Sequence, residues 1–411
     1  MGRQVHEASP VHEASPADMV IWLEAADGRC GAKAAELGRL LRTGFHVPAG
    51  FVVVDALGDD SWAGELEAAL RQLGPGPFAV RSSAMCEDGP GASYAGQLDT
   101  TLGVTTPREV ADAVRSCAAS GNTLRALAYA ARRGHPRHPT AGSRDPRTVP
   151  ASVPASVPVI VQLLVPADVS GVLFTRHPVT GGDAVIIEAA PGLGDQVVEG
   201  RVTPQRWGVS DHVVIAPAPA PGSDGEMVLT AGQVLDIART GRLVEAELAG
   251  PQDIEWALAD GVLWVHQARP ITPTALLGSP ATSDARTSGA AVRLRVRGTG
   301  SSPGRAAGPA RVIDGLDDFD RFRPGDVLVC RATSPAWTPL LARAAAVVTE
   351  VGGILSHTAI VAREFGIPAV TGVDDATTAL SSGERVIVDG TGGTVSTVVH
   401  SQGRRISEEE Q

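Results

Sequence analysis

Little in this chain ties it to a membrane, a nucleic acid or an oxidising compartment. The 411 residues include 4 cysteines, Cys30, Cys86, Cys117 and Cys330, far apart and with no CxxC pair. That spacing reads as reduced thiols of a cytoplasmic protein and offers no zinc site. No run of about 18 apolar residues exists, so no membrane-spanning helix is expected. No apolar segment follows a basic start, so no secretory signal is read. The formal net charge of −11 disfavours nucleic acid or anionic lipid as the main partner. Aromatic residues make up only 4%, while Ala, Gly, Arg and Pro are abundant, which reads as compositional bias. The 43% hydrophobic content still suffices for real cores, and the length suggests two or three domains.

Three stretches look unlike folded domain. A hexapeptide, Val-His-Glu-Ala-Ser-Pro, starts at Val5 and again at Val11. Its His-Glu pairs resemble metal ligands, but a duplication in a loose arm (residues 1–19) explains them better. Residues 135–158 repeat Pro-Ala-Ser-Val and read as an exposed loop. Residues 278–289 are rich in Ser, Thr, Ala and Gly, and a linker is assigned to 275–294. About a dozen extended residues at ~3.3 Å each reach roughly 40 Å, enough for a tethered domain to change sites. A polar tail occupies 401–411.

The most informative segment runs from Thr349 to Ala369. Residues 344–349 read as a short buried strand, and Gly352 and Gly353 permit a tight turn with close backbone approach. Ser356 is a good N-cap, residues 358–365 have helical spacing, and Gly366 and Pro368 end the helix. His357 is thereby predicted in a first helical turn, where free N–H groups and the helix dipole favour an anion. The dipole also disfavours imidazolium, leaving a neutral, nucleophilic ring. A ring sealed away from any triphosphate would defeat this reading.

Upstream, several polar motifs suit phosphate and nucleotide. Lys33 lies near a predicted helix start and offers a point charge. Arg81 is delivered by a predicted strand into a glycine-rich loop, a plausible phosphate cradle. A strand at 159–165 places Gln162 and the backbone of Leu164 and Val165 where an adenine edge would fit. Residues 253–257 and 263–271 read as a hairpin-like pair. Glu255 and Gln267 alternate with apolar neighbours there, so both can project from one face, with Arg269 beside Gln267. A carboxylate and an amide oxygen suit Mg²⁺. His177, before Pro178, reads as structural or exposed.

Four ordered blocks give the second half its resemblance: Gly300 to Gly308, Thr333 to Leu340, the His357 helix, and Val386 to Gly390. Together they resemble the phosphohistidine (swivelling) domain of the PEP-utilising enzymes, placed at 295–400. Residues 20–274 are similar to the ATP-grasp domain of the same family. The resemblance implies an α/β and α+β multidomain fold, with an ATP-grasp domain followed by a small swivelling β/β/α domain. It implies that Lys33, Arg81, Gly96, Thr100, Gln162, Leu164, Glu255, Gln267 and Arg269 line the ATP site, with Glu255 and Gln267 on the metal. His357, Arg81 and Arg269 would be catalytic. The implied activity is a dikinase: ATP phosphorylates His357, AMP and phosphate leave, and the phosphoryl group passes to an acceptor, a small metabolite or an antibiotic. Two alternatives stay open. One is a phosphocarrier serving a separate acceptor-binding subunit. The other is an ATP-grasp ligase or pseudoenzyme with an inert His357. The chain departs from the family at Ala32 and Ala34, at Asp195-Gln196 and at Gln205.

Overall fold

A computed structural model describes residues 15, 18–58, 61–84, 100–120, 157–198, 202–218, 227–271, 291–354 and 356–399. The expectations for the hexapeptide repeat, the 135–156 patch, Gly96, Cys86, the linker before 291 and the tail fall outside these residues. The described residues form three sheets.

The first sheet has five antiparallel strands: β1 (Val20–Trp22), β2 (Gly50–Val53), β3 (Phe78–Ser82), β4 (Thr100–Val104) and β5 (Val159–Leu163). Their order is β1-β2-β5-β3-β4. One face packs helices α2 (Trp62–Leu73) and α3 (Pro107–Ala119) through Phe51, Trp62, Leu66, Phe78, Val80, Val110 and Val114. Helix α3 starts where its sequence says it should. Thr106 and Glu109 form a capping box, and Pro107 takes the first turn, where its missing N–H costs nothing.

The second sheet has six antiparallel strands: β6 (Val169–Phe174), β7 (Val185–Pro191), β8 (Gln205–Ser210), β9 (Val213–Ala218), β10 (Gln252–Ala259) and β11 (Val262–Pro270). Their order is β11-β10-β6-β7-β8-β9. Asp260 and Gly261, both at positive φ, turn the β10–β11 hairpin, as a two-residue Asp-Gly connection should. One apolar cluster joins this sheet to the first: Leu37 and Leu40 of α1 (Ala32–Arg42), Val52 and Ile160 pack with Leu173, Ile187, Ile254 and Trp256. The two sheets therefore share one apolar core built around α1.

The third sheet is mixed, with eight strands: β12 (Ala291–Arg297), β13 (Thr299–Ser302), β14 (Arg305–Val312), β15 (Val327–Cys330), β16 (Ala346–Thr349), β17 (Ala369–Thr371), β18 (Arg385–Asp389) and β19 (Thr394–Val399). Strands β14 to β17 are parallel neighbours, and β12 pairs with β19 at one edge. Residues 291–294, assigned to the linker from composition, are thus strand. Parallel strands need crossovers; the β16–β17 crossover is the helix His357–Phe365. It packs Val361 and Ala362 against Val347 and Ala369. Fold class is as the sequence implied: a multidomain α/β protein. Among the described residues no helix is long and apolar enough to cross a membrane.

Candidate functional site

The hairpin register sets the first part of the site. Glu255 on β10 lies directly opposite Gln267 on β11, and Asp253 opposite Arg269. Alternation puts Asp253 with Glu255 and Gln267 with Arg269, and a register shift between Glu255 and Trp256 brings the two pairs onto one face. Arg81 reaches this face from the other sheet. Its Nη2 donates to Glu255 Oε2 at 2.7 Å and to Gln267 Oε1 at 2.9 Å, and its Nη1 to the His266 carbonyl at 2.7 Å. One guanidinium thus bridges β3 to the β10–β11 hairpin. Sequence alone cannot show this, because 174 residues separate Arg81 from Glu255.

Lys33 stands beside Arg81. Gly31, at φ +82, caps the start of α1. A Cβ there would lie 1.6 Å from the Ser83 carbonyl oxygen, so only glycine permits this approach. The approach lets Ser83 Oγ accept from the Ala34 N–H at 3.0 Å and the Ser82 carbonyl accept from Lys33 Nζ at 3.1 Å. The Arg-Ser-Ser segment therefore positions both cations. Lys33 is only 5% exposed and is the sole lysine of the chain. A single lysine among 35 basic residues was the signal that could have singled it out.

Charge at this face is balanced against burial. Burial alone would raise the Glu255 carboxyl, but Arg81, Arg269 and Lys33 outweigh it and hold it below the usual carboxylate value. Asp253 goes the other way: burial raises it despite the Arg269 guanidinium, whose Nε donates to Asp253 Oδ2 at 2.8 Å. Its Oδ1 is buried with no hydrogen-bond partner among the described residues. Asp253 is a site residue to which sequence reasoning assigned no role. His266 is pushed down to about 4 by burial and by Arg81, so its ring is neutral.

Glu255 Oε2 and Gln267 Oε1 converge on one Arg81 nitrogen. Two hard oxygens so close, one of them held ionised, fit Mg²⁺. Among the described residues no group of three or more His, Cys, Asp and Glu side chains could hold a metal. Phosphate oxygens and water would supply the rest of a Mg²⁺ shell, as is usual for this ion.

Other expected ATP contacts fare differently. Thr100 pairs opposite Arg81 at the start of β4. Gln162 is 2% exposed and donates its amide to the Pro48 carbonyl at 2.8 Å, so it braces the chain just before β2. The Leu164 N–H is likewise taken by the Pro77 carbonyl. A side chain placed by strand register alone can turn to a neighbouring carbonyl that sequence does not reveal. Gln205, one of the departures, accepts from the Val228 N–H and is structural. His177 is structural as expected, its Nδ1 accepting from the Val179 and Thr180 N–H groups.

His357 begins its helix, with Ser356 as N-cap accepting from the Ala359 N–H. Gly366 closes the helix in the left-handed region, as predicted. Thr333 Oγ1 lies 3.0 Å from His357 Nδ1 and 2.7 Å from Thr358 Oγ1. Thr338 Oγ1 instead donates to the Pro335 carbonyl. The imidazole is buried, 3% exposed, where an approachable ring was expected. The loop before the ring touches the second sheet. Three residues upstream, the Ile354 N–H donates to Glu188 Oε1 of β7 at 3.1 Å, and the Ile354 side chain packs on Val172, Phe174 and Ile186. Gly353 lies so close to Glu188 that a Cβ would sit 2.4 Å from Oε2. The loop preceding His357 is thus seated on the second sheet, the same sheet that carries Glu255 and Gln267.

Known proteins match both parts of the chain. Residues 59–216 match the family described as pyruvate phosphate dikinase, AMP/ATP-binding domain, and residues 322–393 match the PEP-utilising enzyme, mobile domain. Phosphoenolpyruvate synthase of Pyrococcus furiosus is 38% identical over 348 residues, covering 77% of this chain and 40% of that protein. The probable phosphoenolpyruvate synthase of Methanothermobacter thermautotrophicus is 35% identical over 338 residues, covering 77% and 46%. The phosphoenolpyruvate synthase of Aquifex aeolicus is 34% identical over 363 residues, covering 75% and 40%. The chain therefore spans less than half the length of these relatives. With both domain types present in one chain and in the same order as the two sites, the protein is a member of the PEP-utilising enzyme family.

Proposed function

We propose that this chain is an ATP-dependent, dikinase-type phosphotransferase that carries a phosphoryl group on His357. The observation that supports it best is the seating of the His357 loop on Glu188, in the sheet that presents Glu255 and Gln267. One arrangement holds both the nucleotide face and the loop that carries the acceptor imidazole.

ATP lies between the first two sheets. Lys33, Arg81 and Arg269 neutralise its phosphates, and phosphoryl transfer needs such charge neutralisation and alignment more than covalent help. Mg²⁺ on Glu255 and Gln267 would withdraw further charge from the phosphate oxygens. Burial of the face removes water that would otherwise intercept the phosphoryl group.

The hydroxyl relay sets the nucleophile. In the tautomer this proposal assigns, His357 Nδ1–H donates to Thr333 Oγ1, 3.0 Å away, and Thr333 donates to Thr358 Oγ1. The lone pair is then on Nε2. Nε2 attacks the β-phosphorus, the bond to the α-phosphate oxygen breaks, and AMP leaves. Water cleaves off the γ-phosphoryl group as phosphate, leaving phosphohistidine. Because His357 is buried when its loop is seated, the unit must part from the second sheet before the phosphoryl group moves on. The acceptor is a small molecule. Since the relatives are phosphoenolpyruvate synthases, pyruvate is the first to test.

Incubation with Mg²⁺ and γ- or β-labelled ATP tests the proposal. AMP should form, with an acid-labile β-label on the chain. His357→Ala should abolish the label while leaving nucleotide affinity unchanged. ADP as the sole nucleotide product, or a persistent label on His357→Ala, refutes it.

A further inference from the structure

Arg363 lies six residues after His357 on the same helix, about 240° around it and ~9 Å along its axis. It faces away from the imidazole, and nothing in the phosphoryl chemistry uses it. It is nonetheless one of the most buried cations of the chain, 9% exposed. Burial pushes it down to about 10, with Asp253 among the carboxylates pulling back up, so it remains protonated at neutral pH. Burying a cation is costly unless its donors are met. Among the described residues no carboxylate lies within ion-pair distance of the guanidinium.

Two of its five N–H donors are met by main chain. Nη1 donates to the Ile354 carbonyl at 2.6 Å and to the Ser301 carbonyl of β13 at 2.8 Å. The guanidinium carbon also sits 5.7 Å from the centroid of Phe174, on β6 of the second sheet. That is cation–π distance, and such contacts strengthen when desolvated. Residue 354 is thereby held on both sides. Its N–H goes to Glu188 of the second sheet, and its C=O goes to Arg363, which itself leans on Phe174.

We propose that Arg363 is a positioning residue that couples seating of the mobile unit on the second sheet to the pose of the loop that presents His357. When seated, Phe174 covers the guanidinium, which then grips the Ile354 and Ser301 carbonyls and holds residues 352–354 in their observed pose. When the unit parts, the guanidinium loses the ring and meets water, which competes for its donors. The loop then relaxes, and the observed pose of His357 is held only while seated. The effect on catalysis rests on the phosphotransferase reading, whereas the effect on the loop does not.

The test uses the full chain with Arg363→Lys, Arg363→Met, Phe174→Leu and the Arg363→Met/Phe174→Leu double variant. The first measurement is amide hydrogen exchange of the 352–358 segment without nucleotide. Exchange should quicken in each single variant, and the double variant should be no faster than the worse single one, because the two residues act through one contact. The second is the single-turnover rate of label arriving from ATP. It should fall by about tenfold to a hundredfold, as misplacement of a reacting group by about 1 Å does, with ATP affinity within about twofold of wild type. A merely structural role would lower thermal stability without this separation of rate from affinity. Wild-type exchange in both Arg363→Lys and Phe174→Leu overturns the proposal, as does strict additivity in the double variant. Should Arg363→Met not fold, Arg363→Lys and Phe174→Leu decide the matter. If the wild type takes no label, the phosphotransferase reading fails, and the exchange data still judge the loop.

Discussion

Replacing Arg81 by methionine strikes the contact that joins the first two sheets. Methionine keeps an unbranched apolar stem. It removes the donors to the His266 carbonyl, Glu255 and Gln267. The side chains of Arg81 and Glu255 are 12% and 20% exposed, so the pair is largely shielded from water. Removing one partner of a buried pair costs 3–5 kcal/mol, and the residual exposure places this case near ~3 kcal/mol. At roughly 2–4 °C per kcal/mol, Tm should drop by about 6–12 °C. The loss should also depend on pH in a definite sense. In the wild type the Glu255 carboxyl sits below its ordinary 4.5, because Arg81, Arg269 and Lys33 overcome burial. It therefore contributes stability above about pH 4.5 that is lost as pH falls through the lower folded value. Without Arg81 burial regains weight, the folded value rises, and the carboxylate becomes a liability at neutral pH. The deficit of Arg81→Met should then be greatest near pH 7 and shrink toward about pH 4. Thermal and urea unfolding across that range measure both effects. A deficit that is constant with pH, or below about 0.5 kcal/mol throughout, refutes the reasoning.

Gly353→Ala places a Cβ 2.4 Å from Glu188 Oε2 without calling for a positive φ. Overpacking of about 1–3 kcal/mol should fall on the seated state, slowing the labelling of His357 by roughly 5–150-fold; an undiminished rate refutes the contact. Glu255→Ala should weaken ATP binding in Mg²⁺ far more than in EDTA, read by isothermal titration, and equal losses in both would remove Glu255 from the metal. Gln162→Leu should lower stability by about 1 kcal/mol through the lost bond to Pro48 and leave nucleotide affinity within about twofold. A large affinity loss there would restore the adenine role.

Much of the site was legible because it rests on local periodicity. Gln267 and Arg269 share a face by strand alternation, but what sets Glu255 opposite Gln267 is the register shift between Glu255 and Trp256, which the Asp-Gly turn does not dictate. The His357 helix was legible from Ser356 at its start and Gly366 at its end. What could not be read were contacts between segments remote in sequence. The turn of Gln162 toward Pro48, the grip of Ser82 and Ser83 on α1, and the seating of Ile354 on Glu188 all depend on how sheets pack. Asp253 escaped notice for a related reason, since only its burial with Arg269 distinguishes it from an ordinary strand aspartate.

From its residues alone, then, the chain determines which groups can bear phosphate chemistry and on which local element each one sits, because caps, turns and alternation act within a few residues. Tertiary structure alone decided that Arg81 would clamp Glu255 to Gln267 and that His357 would be buried beside Thr333. Both outcomes arise from desolvation between packed sheets, where a charge must find its partner across space, whatever the distance along the chain.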